Sequence, residues 1–478
     1  MLKIALINPS KVDNKFVHRE DKHVSMHDYP ILPYTCANIL GLIKDRVSDC
    51  EIKFFDATIE NISNDELNNE VLDYKPDLII SILSWISIPQ DRACAELPIP
   101  TIAMIFQQYI PQNEAAEIYN LKCDYIIKNE LEGPLIEGIH QFQKFGYIKD
   151  VKGYLIKQEN GKFKDTGYAK MFSAEEIWSF PDFEKARFKD YIILKRKYSN
   201  GPVSFNLNTS KGCAFKCAFC GQANSGTKLR SQSPTFVVDQ IEYLQKNYDL
   251  RDFIFIDNIF SGFKPRAKEI CREIIKRKLS VSFIVNDRVR YYDNELINLL
   301  KNAGCTTIKV GVETADKKTQ LYIDKEVDNK KELEKMKEIK SSGLKLSFYM
   351  TPGIPGEDLK TLWLNAKFIV DSNVDSYSVG PLWVMPGSPL YYRLKLENKI
   401  IINEWSQYRN LKSISFKNDT YKSMNQIKRA IFFMYLFTIV IRFFKTFRLR
   451  KKELYKAFPR LKYSFLKKIF IRLPIIEK

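Results

Sequence analysis

Histidine is nearly absent from this 478-residue chain: there are four, His18, His23, His27 and His140. A metal site built downstream of position 140 must therefore use other ligands. Cysteine is sparse as well, with nine residues, and an odd, scattered set does not make a disulfide framework. Glycine numbers 19, and only Gly41 stands between Met1 and Gly133. No apolar run reaches the ~18 residues that a membrane-spanning helix needs. The opening MLKIALINPS lacks a cationic start, apolar run and small-residue cleavage site, so no secretory leader is expected. Free thiols and no leader predict a cytoplasmic chain.

Acidic residues are missing from the C-terminal stretch. Tyr421 to Lys478 holds 16 Lys and Arg against 2 Glu, so it carries +14 of the net +18 and leaves the rest nearly neutral at +4. With 45% hydrophobic and 28% charged residues, the chain can bury real cores. Its length implies two or three domains.

The first third alternates strand and helix patterns. KIALIN from Lys3, EIKFFDA from Glu51, DLIISIL from Asp77, PTIAMIF from Pro100 and DYIIK from Asp124 are short apolar runs. Helical patterns such as LPYTCANILGLIKDR from Leu32 and EGPLIEGIHQFQ from Glu132 lie between or after them. This predicts an α/β domain over 1–145 with a doubly wound, Rossmann-like parallel sheet. Pro89 and Pro98 leave barely two helical turns between Ser84 and Ile99, and the histidines after the first strand fall in a polar loop. Residues 146–197 form a connector, with a hairpin turning at Asn160-Gly161 and a loop at IWSFPDFE.

From Val203 the rhythm restarts. VSFNLNTS, FIFID from Phe253, VSFIVND from Val281, TIKVGVE from Thr307, KLSFYMTPG from Lys345 and SYSVGPLWVMP from Ser376 are six strand candidates separated by helical patterns. They predict a partial (β/α)6 TIM-type barrel over 198–395, followed by a basic helical segment over 396–478. Barrels carry chemistry at the C-terminal ends of their strands. Those ends are polar here: Thr209 and Ser210, Asp257 and Asn258, Asn286 to Arg288, Glu313, and Thr351.

Directly after the first barrel strand, TSKGCAFKCAFCGQ places Cys213, Cys217 and Cys220 at C-x3-C-x2-C. Structural zinc takes four ligands, commonly from two C-x2-C pairs, and no second pair follows. Three thiolates hold a 4Fe-4S cube while leaving one iron open to another ligand.

This spacing, with Phe219 before the last cysteine, resembles the radical S-adenosylmethionine (SAM) superfamily. The resemblance implies a 4Fe-4S cluster whose open iron chelates the amino and carboxylate groups of SAM. Reductive cleavage would then give methionine and a 5′-deoxyadenosyl radical, with electrons from a donor such as flavodoxin or ferredoxin. LRSQSPTFVVDQIEYL from Leu229, FIFIDNIF from Phe253, VGVETADKKTQLYIDK from Val310 and FYMTPGIPGED from Phe348 are similar to successive blocks of the subgroup with an N-terminal cobalamin(B12)-binding-type domain. CDYIIKNELEGPLIEGI from Cys123 and HDYPILPYTCANILGLI from His27 resemble parts of that domain, so the likeness spans residues 1 to about 395.

The resemblance makes Cys213, Cys217 and Cys220 the cluster ligands and puts Phe219 near the adenine. Asp257 and Asn258 take the position that contacts the SAM amino group, and Arg288 and Glu313 become SAM or substrate contacts. Pro352 and Gly353, within TPGIPG, take the position of a fifth-strand motif whose backbone lies along the adenosine. Bland roles are available too: a surface charge for Arg288, and turn geometry for Gly353 and Gly356.

The N-terminal third departs from the pattern. There is no Asp-x-His-x-x-Gly loop, Gly41 stands alone, and FQQY from Phe106 replaces the family's glycine pair after the fourth strand. The expectation is a domain that keeps its fold and binds cobalamin weakly or not at all. The predicted reaction is radical modification, such as methylation, of an unidentified small-molecule or lipid substrate. One alternative is a tRNA methylthiotransferase-like enzyme drawing a second cluster from Cys36, Cys50, Cys94 and Cys123. Another is a metal-stabilised protein using its basic tail on nucleic acid, which the nearly neutral core does not favour. AIFFMYLFTIVI from Ala430, followed by RFFKTFRLRKK, suits either a helix capping the barrel or a peripheral contact with the inner face of a membrane.

Overall fold

The computed structural model describes residues 1–19, 24–106, 121–128, 130–199, 201–221, 228–325, 327–402 and 414–457, with 24, 106 and 447–457 in backbone only. Two parallel sheets carry the chain. The first has five parallel strands in the order β4-β1-β5-β6-β7: β1 (Leu2–Asn8), β4 (Cys50–Asp56), β5 (Leu78–Ser84), β6 (Thr101–Phe106) and β7 (Tyr125–Ile127). Leu6 pairs with both Phe54 and Ile80, so β1 is central. All seven residues of β5 are buried, which explains its uncharged, mostly apolar run. The chain leaves β1 for β4 on one side and returns to β5 on the other, so the switch point lies between β1 and β5.

Two segments differ from their sequence expectations. The polar loop after β1 contains an antiparallel ribbon, β2 (Phe16–Arg19) against β3 (Val24–His27), and all four β2 residues are buried. Four residues are too few to show a period. In the connector, the hairpin β8 (Tyr154–Lys157) and β9 (Phe163–Asp165) turns at Gly161, whose φ is +77°. It pairs antiparallel with β7, extending the first sheet past residue 145. The connector also holds a helix, Phe188–Tyr198, that its mixed composition hid. Gly41 serves packing: a Cβ there would stand 2.2 Å from the Phe180 carbonyl oxygen.

The second sheet runs in chain order: β10 (Ser204–Leu207), β13 (Asp252–Phe255), β14 (Ser282–Asp287), β15 (Cys305–Glu313), β16 (Lys345–Met350) and β17 (Ser376–Val379). Among the described residues β10 and β17 do not pair, so the barrel is partial. A short antiparallel ribbon, β11 (Ser210–Lys211) with β12 (Arg230–Ser231), follows β10. Burial alternates along the strands. In β14, Phe283, Val285 and Asp287 are buried while Ser282, Ile284 and Asn286 are half-buried on the other face. The half-buried set, which includes Asn206, Asn286, Lys309 and Ser347, gives the sheet one polar face. Asn286, Lys309 and Ser347 are direct register neighbours there.

A continuous hydrophobic core joins the two sheets through Tyr34, Phe183, Phe188 and Phe205. The C-terminal helix Met424–Ala457 packs against Leu359–Asp371. Among the described residues no helix is long and apolar enough to cross a membrane.

Candidate active site

The ribbon β11–β12 brackets the loop that carries the three cysteines. Gly212 opens the loop at φ +93°, a conformation costly to other residues. The Cys220 N–H donates to the Cys217 carbonyl at 3.0 Å, folding the last two cysteines into one turn. Between them, the Ala218 N–H donates to the Ile323 carbonyl and its carbonyl accepts from the Leu390 N–H, both at 2.8 Å. Phe219 packs against a hydrophobic cluster that includes Ile354, after the fifth barrel strand, and Leu382, after the sixth. Cys217 is buried, and Cys213 and Cys220 are half-buried. Among the described residues no three ligating side chains converge on one metal ion. A cube makes no such demand, because each thiolate binds a different iron.

The other thiols sit differently. Burial pushes Cys94, Cys123 and Cys305 far up and Cys271 up to about 12, so they stay protonated. Cys36, Cys94 and Cys123 pack into three separate cores, so the described structure does not assemble a second cluster site from them.

Arg288 comes to the loop from the end of β14. Its Nη2 donates to Cys217 Sγ at 2.9 Å, and its guanidinium lies 3.7 Å from the centre of the Phe215 ring. The buried Asp287 carboxylate fixes this corner by accepting from Ser261 N (2.9 Å), Ser261 Oγ (2.8 Å), Tyr292 Oη (2.8 Å) and Arg288 N (2.7 Å). Burial raises its carboxyl to about 6 despite these bonds.

Asp257 and Asn258 hold the loop. The Asp257 carboxylate is fully buried and accepts from the hydroxyls of Thr209 (3.0 Å) and Ser210. Asn258 Nδ2 donates to the Gly212 carbonyl at 3.0 Å. Arg266 supports the ribbon from beneath, donating to the carbonyls of Gln232 (2.7 Å) and Thr209 (2.8 Å).

Glu313 ends β15 at φ +62°, where the register with β16 slips. Its carboxylate accepts from Thr351 Oγ1 at 2.6 Å and pairs with Lys325 at 3.1 Å. A left-handed non-glycine residue costs roughly 1–2 kcal/mol, and this one is held by partners on both sides. Pro352 and Gly353 follow. Gly353, at φ +104°, donates its N–H to Glu357 Oε2 (2.7 Å), and its carbonyl accepts from Asn418 Nδ2 (2.7 Å). The Gly356 N–H donates to Thr420 Oγ1 at 2.8 Å, so the segment leading to the C-terminal helix latches this loop.

Glu357 also accepts from Tyr421 Oη at 3.0 Å, and burial pushes its carboxyl up to about 8 from 4.5. The folded chain therefore keeps a proton that the unfolded chain releases near pH 4.5. Stability should fall as pH rises between these values and level off above about 8. The whole drop is on the order of several kcal/mol. Glu357→Gln should flatten that slope in denaturant titrations and be more stable than the parent at alkaline pH. An unchanged slope would refute the assignment.

Two buried ion pairs at the site have no counterpart among the sequence candidates. Lys211 pairs with Glu132, their side chains 2% and 3% exposed. Arg230 makes a bidentate pair with Glu130 at 2.7 and 2.8 Å and donates to the Phe172 carbonyl at 2.8 Å. Both acids follow β7, so the first domain grips both strands of the ribbon that frames the cysteines. The visible signal was KNELEG: charges set between apolar runs need buried partners.

Residues 207–369 match the model of the radical SAM superfamily. The chain carries a radical SAM domain. It is 21% identical to an uncharacterised methyltransferase of Pyrococcus horikoshii, over 84% of this chain and 86% of that one. It is 28% identical to the anaerobic magnesium-protoporphyrin IX monomethyl ester cyclase of Rubrivivax gelatinosus, over 75% of this chain and 65% of the cyclase. The radical SAM methyltransferase TsrM of Kitasatospora setae, solved with cobalamin and a 4Fe-4S cluster, shares the fold at a TM-score of 0.66. Identity to TsrM is 17%, with 83% of this chain and 75% of that one covered. The radical SAM domain includes the cysteine loop, Arg288, Glu313 and Gly353. It makes the protein a radical SAM enzyme, whose cofactors are a 4Fe-4S cluster and SAM.

Proposed function

We propose that the enzyme carries out a radical modification, of which methylation is one form, at an unactivated carbon of a small-molecule or lipid-like substrate. The observation that carries this is the Arg288 guanidinium on Cys217 Sγ, beside a barrel face that stays polar and half-buried. The donor set suits the cluster: Cys213, Cys217 and Cys220 would hold three irons, and the bound cluster supplies the electron that cleaves SAM. Arg288 stabilises negative charge on the Cys217 sulfur, and hydrogen bonds to cluster sulfurs tune reduction potential. Asp257, Asn258 and Arg266 keep the loop in register. Glu313, Lys325 and Thr351 form a polar rim suited to SAM or substrate. The relatives named as methyltransferases support methyl transfer. The proposal includes a flavodoxin- or ferredoxin-type electron donor and a cytoplasmic setting, which a reduced cluster and free thiols require.

We infer that the described residues at the switch point of the first sheet disfavour cobalamin there. That crevice, where ligands of such folds enter, is narrowed by the chain itself to a small cavity beside Asn8, Arg19, Cys36 and Tyr191. Arg19, 4% exposed, pairs with Asp91 at 2.8 and 3.0 Å and donates to the carbonyls of Pro9 (2.9 Å) and Ser10 (3.0 Å). Asn8, Asp56 and Tyr191 close the neighbouring gap with mutual hydrogen bonds. Gln107 to Tyr109 lie outside the described residues. One observation favours a cobalamin-dependent second reading: the buried hydroxyls of Ser81 and Ser84 on β5 have no hydrogen-bond partner among the described residues.

The test is anaerobic purification with cobalamin supplied, followed by assay for 5′-deoxyadenosine and absorption spectroscopy after cluster removal. Formation of 5′-deoxyadenosine without bound cobalamin is expected. Stoichiometric cobalamin would replace this with the second reading, and no SAM cleavage would overturn both.

A further inference from the structure

We propose that the C-terminal helix Met424–Ala457 is a docking surface for an anionic phospholipid bilayer, lying along the membrane surface. One side of this helix is packed: Ile427, Ala430, Met434 and Thr438 are 3%, 4%, 0% and 1% exposed. The opposite side is apolar and open. Phe432, Leu436, Ile439 and Phe443 are 62%, 38%, 65% and 62% exposed. At 3.6 residues per turn these four fall within an arc of about 60°, in a stripe about 17 Å long. Phe433 and Tyr435, 39% and 38% exposed, widen it. The 12-residue apolar run thus divides into a face that caps the barrel and a face that no described residue covers. Monomeric proteins rarely expose so continuous an apolar strip without a partner.

The charges around the stripe select the occupant. Lys428, Arg429 and Arg442 are exposed on the same helix and flank the stripe on both sides. From Tyr421 to Lys452 the sequence contains no Asp or Glu. A second copy of this helix would bring cations against cations. A bilayer with anionic headgroups satisfies both features, because the apolar side chains enter the interface while the cations meet the headgroups. Aromatic side chains favour that depth. The helix cannot span the bilayer, and it does not need to. Its first turn touches the site: Ile427 Cδ1 lies 3.3 Å from where a Cβ on Gly353 would stand. Docking would therefore hold the latched strand-five loop close to the membrane, where a lipid-like substrate is found.

The test is co-sedimentation of the full-length, cluster-reconstituted chain with vesicles of phosphatidylcholine alone or mixed with phosphatidylglycerol, at low and high salt. Binding at low salt should be at least about tenfold stronger on the anionic vesicles and should weaken with salt. The double variant Ile439→Asp/Phe443→Asp should lose it. Both positions are exposed and make none of the contacts described at the cysteine loop, so iron content and vesicle-free SAM cleavage should match the parent, which separates this outcome from failure of the proposed reaction. Three results would overturn the proposal: no binding at low salt, equal binding to both vesicle types, or unchanged binding by the double variant. A parent that is dimeric where the double variant is monomeric would assign the stripe to a second copy instead.

Discussion

Cys217→Ala, reconstituted anaerobically with iron and sulfide, should retain no 4Fe-4S spectrum and form 5′-deoxyadenosine no faster than a protein-free control. The loop has three thiols, at Cys213, Cys217 and Cys220, and a cube that leaves one iron open uses all three. The remaining described thiols offer no substitute. Cys94, Cys123, Cys271 and Cys305 are buried at other places in the fold, and burial holds them protonated. Cys271→Ala should therefore keep its iron and its turnover, at most losing some stability from the small cavity. Arg288→Gln separates ligation from tuning. It should keep the cluster but shift its reduction potential, because one hydrogen bond to the Cys217 sulfur is weakened and a positive charge is gone. Full iron content and full turnover in Cys217→Ala would end the cluster assignment.

The cysteine loop was legible because its chemistry is local. Three ligands within eight residues, after a strand with a polar end, need no tertiary information to be recognised. The strands were legible for a related reason: runs such as LIISILS carry no charge and are buried throughout because both faces of that sheet are covered. What the sequence hid depends on distance. The ribbon Phe16–Arg19 is four residues long, and its burial follows from closing the β1/β5 crevice with an arginine whose partner, Asp91, is 72 residues away. The exposed side of the C-terminal helix was hidden in the opposite sense. AIFFMYLFTIVI is apolar on all sides, so only its packing on Leu359–Asp371 shows which half is left uncovered. Asp257 and Asn258 were found from their place at a strand end. Their engagement with Thr209, Ser210 and Gly212 crosses more than 40 residues of chain, and no local pattern encodes it.

Glu132→Ala and Glu130→Ala should each destabilise the chain by about 3–5 kcal/mol, the usual cost of leaving one buried charge without its partner. The consequence should extend beyond folding. Lys211 and Arg230 stand on the two strands of the ribbon that frames the cysteine loop, and both are gripped by acids of the first domain. Releasing either grip should loosen that frame, so reconstituted variants should lose iron faster and cleave SAM more slowly under conditions where they remain folded. A paired apolar replacement tests what the grip supplies. Glu132→Leu/Lys211→Met removes both charges at similar volume, and such swaps are often neutral or stabilising. We expect this double variant to recover stability and iron retention together, because anchoring rather than charge is what the ribbon needs. Recovery of stability with iron retention still impaired would instead make the ion pair itself part of the cluster's electrostatic environment. Single variants that unfold and hold iron like the parent would show that the first domain does not position the loop at all.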